Sequence, residues 1–104
     1  MDDFRIIYRI LLYLEKAMDY DEPDIDMISA KTLGISENRW FSIIRMLSES
    51  GYIDGFSIKV SAGGEKALSI SNPRITLKGL EYLNENSLMQ KAMRAAKGIA
   101  EIVK

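Results

Sequence analysis

The side chains best suited to recognition lie in the run SENRWFSIIRMLSE, residues 36–49. Asn and Arg carry paired hydrogen-bonding groups that match adenine and guanine edges in the major groove, each such pair discriminating by about 1–3 kcal/mol. At helical spacing Trp40, Ile43, Ile44 and Leu47 share one face, which puts Asn38, Ser42, Arg45 and Glu49 on the opposite face, with Arg39, Phe41 and Met46 at its edges. Asn38, Arg39, Ser42 and Arg45 are therefore candidates for base or phosphate contact with double-stranded DNA. Lys31, Lys59, Lys66, Arg74 and Lys78 are candidates for backbone contact from outside the helix. Glu37 and Glu49 lie on the same helix and cancel its charge, and a carboxylate repels phosphate although it can accept from cytosine.

Other chemistries find little support. The chain has no Cys and no His, which removes disulfides, thiolate nucleophiles and the usual zinc ligands. Asp19 and Asp21 in DYDEPDID are spaced like the first two ligands of a calcium loop. Pro23 at the third ligand position, the lack of a Gly at the sixth and Ala30 where a bidentate Glu belongs argue against calcium, and the segment reads as an acidic linker whose Asp21 or Asp24 caps the next helix. No nucleophile lies beside a base and no Gly-rich loop precedes a phosphate-binding helix, so neither an enzyme nor a cofactor is expected.

The elements that must position the candidate residues follow from periodicity. From Phe4 to Met18 apolar residues fall at 4, 7, 11, 14 and 18, with Ile6, Ile10, Tyr13 and Ala17 as a second stripe, leaving a polar strip of Arg5, Arg9 and Lys16. A short second helix, roughly residues 24–31, turns Ile25, Ile28 and Met27 inward and ends at Gly34. Ser36 caps the third helix, which runs to about Glu49, and Gly51 closes it. Phe56, Ile58 and Val60 then alternate with Ser57, Lys59 and Ser61 as a half-buried strand. AGG at 62–64 is a turn, KALSI at 66–70 a return strand, and NPRIT at 72–76 a bend into a short third strand. Gly63 and Gly64 could lay a wing tip into a minor groove beside Lys66, although a tight turn alone accounts for them. Thr76 opens a fourth helix with Leu77, Leu80 and Leu83 inside.

The order helix, helix, turn, helix, hairpin, helix is that of a winged helix-turn-helix: an α+β fold, mainly α, with a small antiparallel β-hairpin as the wing. Ala30, Gly34 and Ile35, then Trp40 and Ile43, supply the small, left-handed and apolar positions that steeply crossing helices require. With 104 residues the chain suits one domain, a core over 1–86 and an appended amphipathic C-terminal helix over 87–104.

On that last helix Leu88, Ala92, Ala95, Ile99 and Ile102 repeat at 4-3-4-3 spacing, with Met89, Met93, Ala96, Ala100 and Val103 beside them. Such a face must be buried, either on the first helix, on the same helix of a second copy as a homodimer, or on a lipid surface. Leu88, Ala92, Ala95, Ile99 and Ile102 are thus the candidate dimer or packing interface.

The net charge of −1 conceals an asymmetry: residues 1–30 carry −5 and residues 31–104 carry +4, so an anionic partner would meet the second part. No signal-like segment opens the chain and no run of 18 or more apolar residues crosses it, so a cytoplasmic location without a membrane span is expected.

The stretches LGISENRW, SESGYIDG and especially SNPRITLKGLEYLNENSLMQKAMRAAKGI resemble the YjcQ-like family of small bacterial and prophage proteins, from the first helix to the end of the chain, most closely over residues 72–99. The resemblance implies a winged-helix fold and a mobile-element association, and carries over no catalytic or ligand-binding residue. Taken together, the expectation is a DNA-binding protein, a transcriptional regulator of bacterial or prophage origin, with helix 36–49 as recognition helix. The alternative is a winged-helix module that binds a protein partner, a phage or host adaptor, without touching DNA.

Overall fold

A helix that is apolar over more than half its circumference must be packed on several sides, and α1 (Asp3–Lys16) is packed against both α3 and the hairpin. The computed structural model describes residues 3–86. After α1 the chain makes a 3-10 turn at Ala17–Asp19 and another at Ile25–Ile28, then α2 (Ala30–Leu33), α3 (Glu37–Glu49), β1 (Ile53–Val60) and β2 (Lys66–Ile75). A fourth helix, α4, begins at 77 and is helical through 86. The fold is α+β, with the arrangement of a winged helix-turn-helix.

The core is a single apolar cluster. Ile6, Ile10, Leu11 and Leu14 from α1 meet Ile28, Leu33, Ile43, Ile44 and Leu47, and Ile53, Phe56, Ile75 and Leu83 close it from the hairpin and α4. No polar or charged side chain is buried among the described residues. The buried sector of α1 is centred on the Ile6–Ile10–Leu14–Ala17 stripe rather than on the 4-7-11-14-18 line. Phe4 and Met18, expected inside, are 70% and 61% exposed at its two ends.

The second helix is not continuous over 24–31. Asp24 caps the Ile25–Ile28 turn, its carboxylate accepting from the Asp26 N–H at 3.1 Å. Ser29 is then extended and caps α2, its hydroxyl accepting from the Thr32 N–H at 3.2 Å. The break also explains Met27, which was expected inside and is 52% exposed. At three residues per turn Ile25 and Ile28 align, and the two residues between them, Asp26 and Met27, point away.

β1 and β2 form an antiparallel pair, with Ile53 opposite Ile75, Asp54 opposite Arg74, Phe56 opposite Ile70 and Val60 opposite Lys66. NPRIT therefore forms no third strand. β2 runs through it, and the bend is a bulge in which residues 71–73 face Gly55. Gly55 has φ +88°, and a Cβ there would lie 2.4 Å from the Asn72 carbonyl oxygen and 2.6 Å from that of Ser71. Only glycine lets the two backbones pass so closely. Asn72 takes φ +53°, a left-handed conformation that Asn tolerates. Outward from Phe56 the expected alternation fades: Ile58 is half-buried and Val60 is 51% exposed.

Thr76 caps α4, accepting from the Gly79 N–H at 3.1 Å while its hydroxyl donates to the Gly51 carbonyl at 2.6 Å. Gly79 presses against the Tyr52 carbonyl and Ile75, which fixes the inner face of α4 on Gly79, Leu80 and Leu83. Leu77, two positions before Gly79, is turned outward and is 73% exposed, contrary to expectation. The candidate packing residues Leu88, Ala92, Ala95, Ile99 and Ile102 lie outside the described residues.

Candidate nucleic-acid interface

The turn between α2 and α3 is set by backbone chemistry. Gly34 has φ 72° and its N–H donates to the Ala30 and Lys31 carbonyls, ending α2. The Ile35 N–H reaches the Ala30 carbonyl at 3.0 Å, which completes the reversal. Ser36 then caps α3, its hydroxyl accepting from the Arg39 N–H at 3.1 Å. Half-buried Trp40 fastens α3 to the Ile25–Ile28 turn that precedes α2 by donating its indole N–H to the Ile28 carbonyl at 2.6 Å.

Ile43, Ile44 and Leu47 are buried, which leaves Asn38, Ser42, Arg45 and Glu49 exposed on the far side of α3. Asn38, Arg39 and Ser42 line one shallow groove together with Ser36, Met46 and Asp3. Asp3 comes from the first turn of α1, and the Arg39 guanidinium donates to both of its carboxylate oxygens at 2.7 and 3.0 Å. Arg45 donates through Nε to Glu49 at 2.9 Å, one turn further along α3. Both arginines on the exposed side of α3 are therefore engaged with carboxylates. Both pairs are solvent-exposed, so each is worth at most about 1 kcal/mol and can exchange for a phosphate.

The hairpin lies along α3. The Ser48 hydroxyl donates to the Phe56 carbonyl at 3.3 Å, and the Lys66 ammonium stands 5.1 Å from the centre of the Phe41 ring. Lys66 is thus turned toward α3 as a cation on an aromatic face. The tip is a turn in which the Ser61 N–H donates to the Glu65 carbonyl at 2.8 Å and the Gly64 N–H to the Ser61 carbonyl at 2.9 Å.

Arg74 lies at the hairpin base, paired with Asp54 at 3.1 Å, and borders a different cleft with Asp21, Pro23 and the end of α1. Lys78 donates to the Ser50 carbonyl at 2.9 Å and covers the Tyr52 ring, closing the C-terminal end of α3. Lys31 and Lys59 are exposed and, among the described residues, form no ion pair or side-chain hydrogen bond. The structure therefore brings Asn38, Arg39, Ser42 and Arg45 onto one helix face, leans Lys66 against it and places Arg74 elsewhere.

Asp3 is the residue that periodicity could not supply. It lies 36 positions from Arg39, and only the packing of α1 on α3 joins them. No helix among the described residues is long and apolar enough to cross a membrane.

The family model described as YjcQ protein matches residues 8–102, and the chain belongs to that family. No curated protein and no solved structure matches it.

Proposed function

We propose that this member of the YjcQ family is a winged-helix DNA-binding protein, a cytoplasmic transcriptional regulator of bacterial or prophage origin. α3 enters the major groove with Asn38, Ser42 and Arg45 toward base edges. Arg39, Lys31 and Lys59 meet phosphates. The observation that supports this reading is the exposed polar side of α3: Asn38, Ser42 and Arg45 point away from a fully apolar inner face, and none of the three is needed to build the core. The short turn and the Trp40 bond hold that face at a fixed angle to α1 and α2. A single module of this kind binds weakly, because α3 carries no net charge. Pairing of two copies through Leu88, Ala92, Ala95, Ile99 and Ile102 would add a second half-site and raise affinity through effective concentration.

The test is a titration of a labelled mixed-sequence duplex at increasing salt. Three phosphates, neutralised by Lys31, Arg39 and Lys59, correspond to a slope of roughly −2.7 in log affinity against log salt. Arg45→Glu should abolish the binding. A second reading, a docking module for a protein partner, is favoured by the two ion pairs that occupy Arg39 and Arg45 and by Met46, 51% exposed beside them. Absence of duplex binding near 50 mM salt at roughly 100 μM protein, beyond the usual non-specific range, would select that reading.

A further inference from the structure

Within the DNA-binding reading, on which this inference rests, we infer that Asp3 is a positioning residue of the α3 face: it holds the Arg39 guanidinium in place and competes with a nucleic-acid phosphate for it. Asp3 borders the same groove as Asn38, Arg39 and Ser42, and it belongs to a different element from all three. Both of its oxygens are within hydrogen-bonding distance of one guanidinium nitrogen, at 2.7 and 3.0 Å, so the carboxylate occupies the place that two phosphate oxygens would take. Its own negative charge repels a backbone phosphate approaching the first turn of α3, where the Ser36 cap and the helix dipole otherwise favour an anion.

The groove is therefore preloaded with an internal anion. DNA must displace Asp3 from Arg39 before a phosphate can take its place. The Arg74 pair with Asp54 is an internal control: it has the same charges and is also exposed, but it stands at the hairpin base beside a different cleft.

The experiment compares duplex binding by the full-length protein and by Asp3→Asn, with Asp3→Ser as a second neutral variant that keeps an oxygen at the start of α1. Both should bind about two- to five-fold more tightly than the wild type at low salt, the range set by exposed ion pairs. The salt slope should stay close to the wild-type value, because Arg39 meets a phosphate in both complexes once Asp3 is displaced or neutral. In an Arg39→Ala background the benefit of Asp3→Asn should vanish, and Asp54→Asn in the native background should improve binding less than Asp3→Asn does. Binding by the neutral variants alone, with none by the wild type, would also support the inference. Wild-type binding that neither neutral variant improves would overturn it and leave the DNA reading standing. An improvement that persists without Arg39, or that Asp54→Asn matches, would overturn it in favour of a general charge effect. Absence of binding by all the proteins would overturn both.

Discussion

Ile10, Leu11 and Ile44 are fully buried where α1 meets α3, whereas from Ser57 to Arg74 no hairpin side chain is buried. The helical half is positioned by volume: close-packed apolar side chains leave α3 one place to lie. Beyond its base, where Ile53, Phe56 and Ile75 enter the core, the hairpin is positioned by backbone register, a bulge, one ring contact and a few polar bonds. The proposed reading helix is therefore rigid, while the wing beside it rests on interactions that single substitutions or a change of solvent can remove.

The largest expected effect tests the helical side. Ile44→Ala should cost about 2–5 kcal/mol, a large part of the stability of a small domain, through lost burial and the cavity left behind. Ile58→Ala, at a half-buried wing position, should cost less than about 1.5 kcal/mol. Denaturant unfolding of the two variants measures both values, and similar losses would erase the distinction between the halves.

Two glycines come next, because they decide where the hairpin base and α4 meet the core. Gly55→Ala should cost about 1–3 kcal/mol, since it forces a positive φ and drives a Cβ into the Asn72 and Ser71 carbonyls. Gly79→Ala lies in a helix, where the exchange ordinarily stabilises by roughly 0.5–1 kcal/mol. Here it should destabilise, because the new Cβ would fall 2.4 Å from the Tyr52 carbonyl oxygen and 2.5 Å from Ile75 Cγ1. Thermal melts that show Gly79→Ala stabilised would mean that α4 packs less closely than described.

Ser36→Ala should cost about 1 kcal/mol by leaving the Arg39 N–H without its cap. Guanidinium unfolding reads the loss directly. Since Arg39 is both the capped residue and the partner of Asp3, the variant should also loosen the first turn of α3 and weaken any duplex binding.

How far the sequence carried depends on whether the determinant was local. Ser36, Gly34 and Thr76 act on backbone groups within five residues, and each was legible as a cap or a helix end. The exposed face of α3 followed from its period alone. The bulge opposite Gly55 was missed because Asn72 and Pro73 resemble a chain reversal, and only the register with β1 shows that the strand continues. Leu77 and Phe4 were misplaced because a wheel ranks side chains by apolarity, while burial depends on which neighbour arrives: Gly79 in one case, the position of the core along α1 in the other. Asp3 on Arg39 and Lys66 on Phe41 are tertiary contacts with no spacing signal at all.

The smallest effect concerns the polar anchoring of the wing. The Arg74 guanidinium donates to Asp54 at 3.1 Å and the Gly55 N–H donates to its other oxygen at 2.9 Å. These bonds, with the charge of Arg74, hold the Asp54 carboxyl below its ordinary 3.8. A carboxylate whose value is depressed in the folded state stabilises that state above the unfolded value and loses the contribution as pH falls through the folded one. The window therefore lies at acid pH, below about 4, and neutral pH leaves the pair intact. Following the Asp54 side-chain carbon by NMR should give a midpoint under 3.8, and Arg74→Ala should move it upward without restoring it fully, because the Gly55 bond remains. The chemical shifts of the hairpin base should follow the same titration, while those of Ile10 and Ile44 stay fixed. A midpoint at the ordinary value would mean that the Asp54–Arg74 pair adds nothing to the anchoring, and the hairpin base would then be set by its bulge, register and buried side chains rather than by charge.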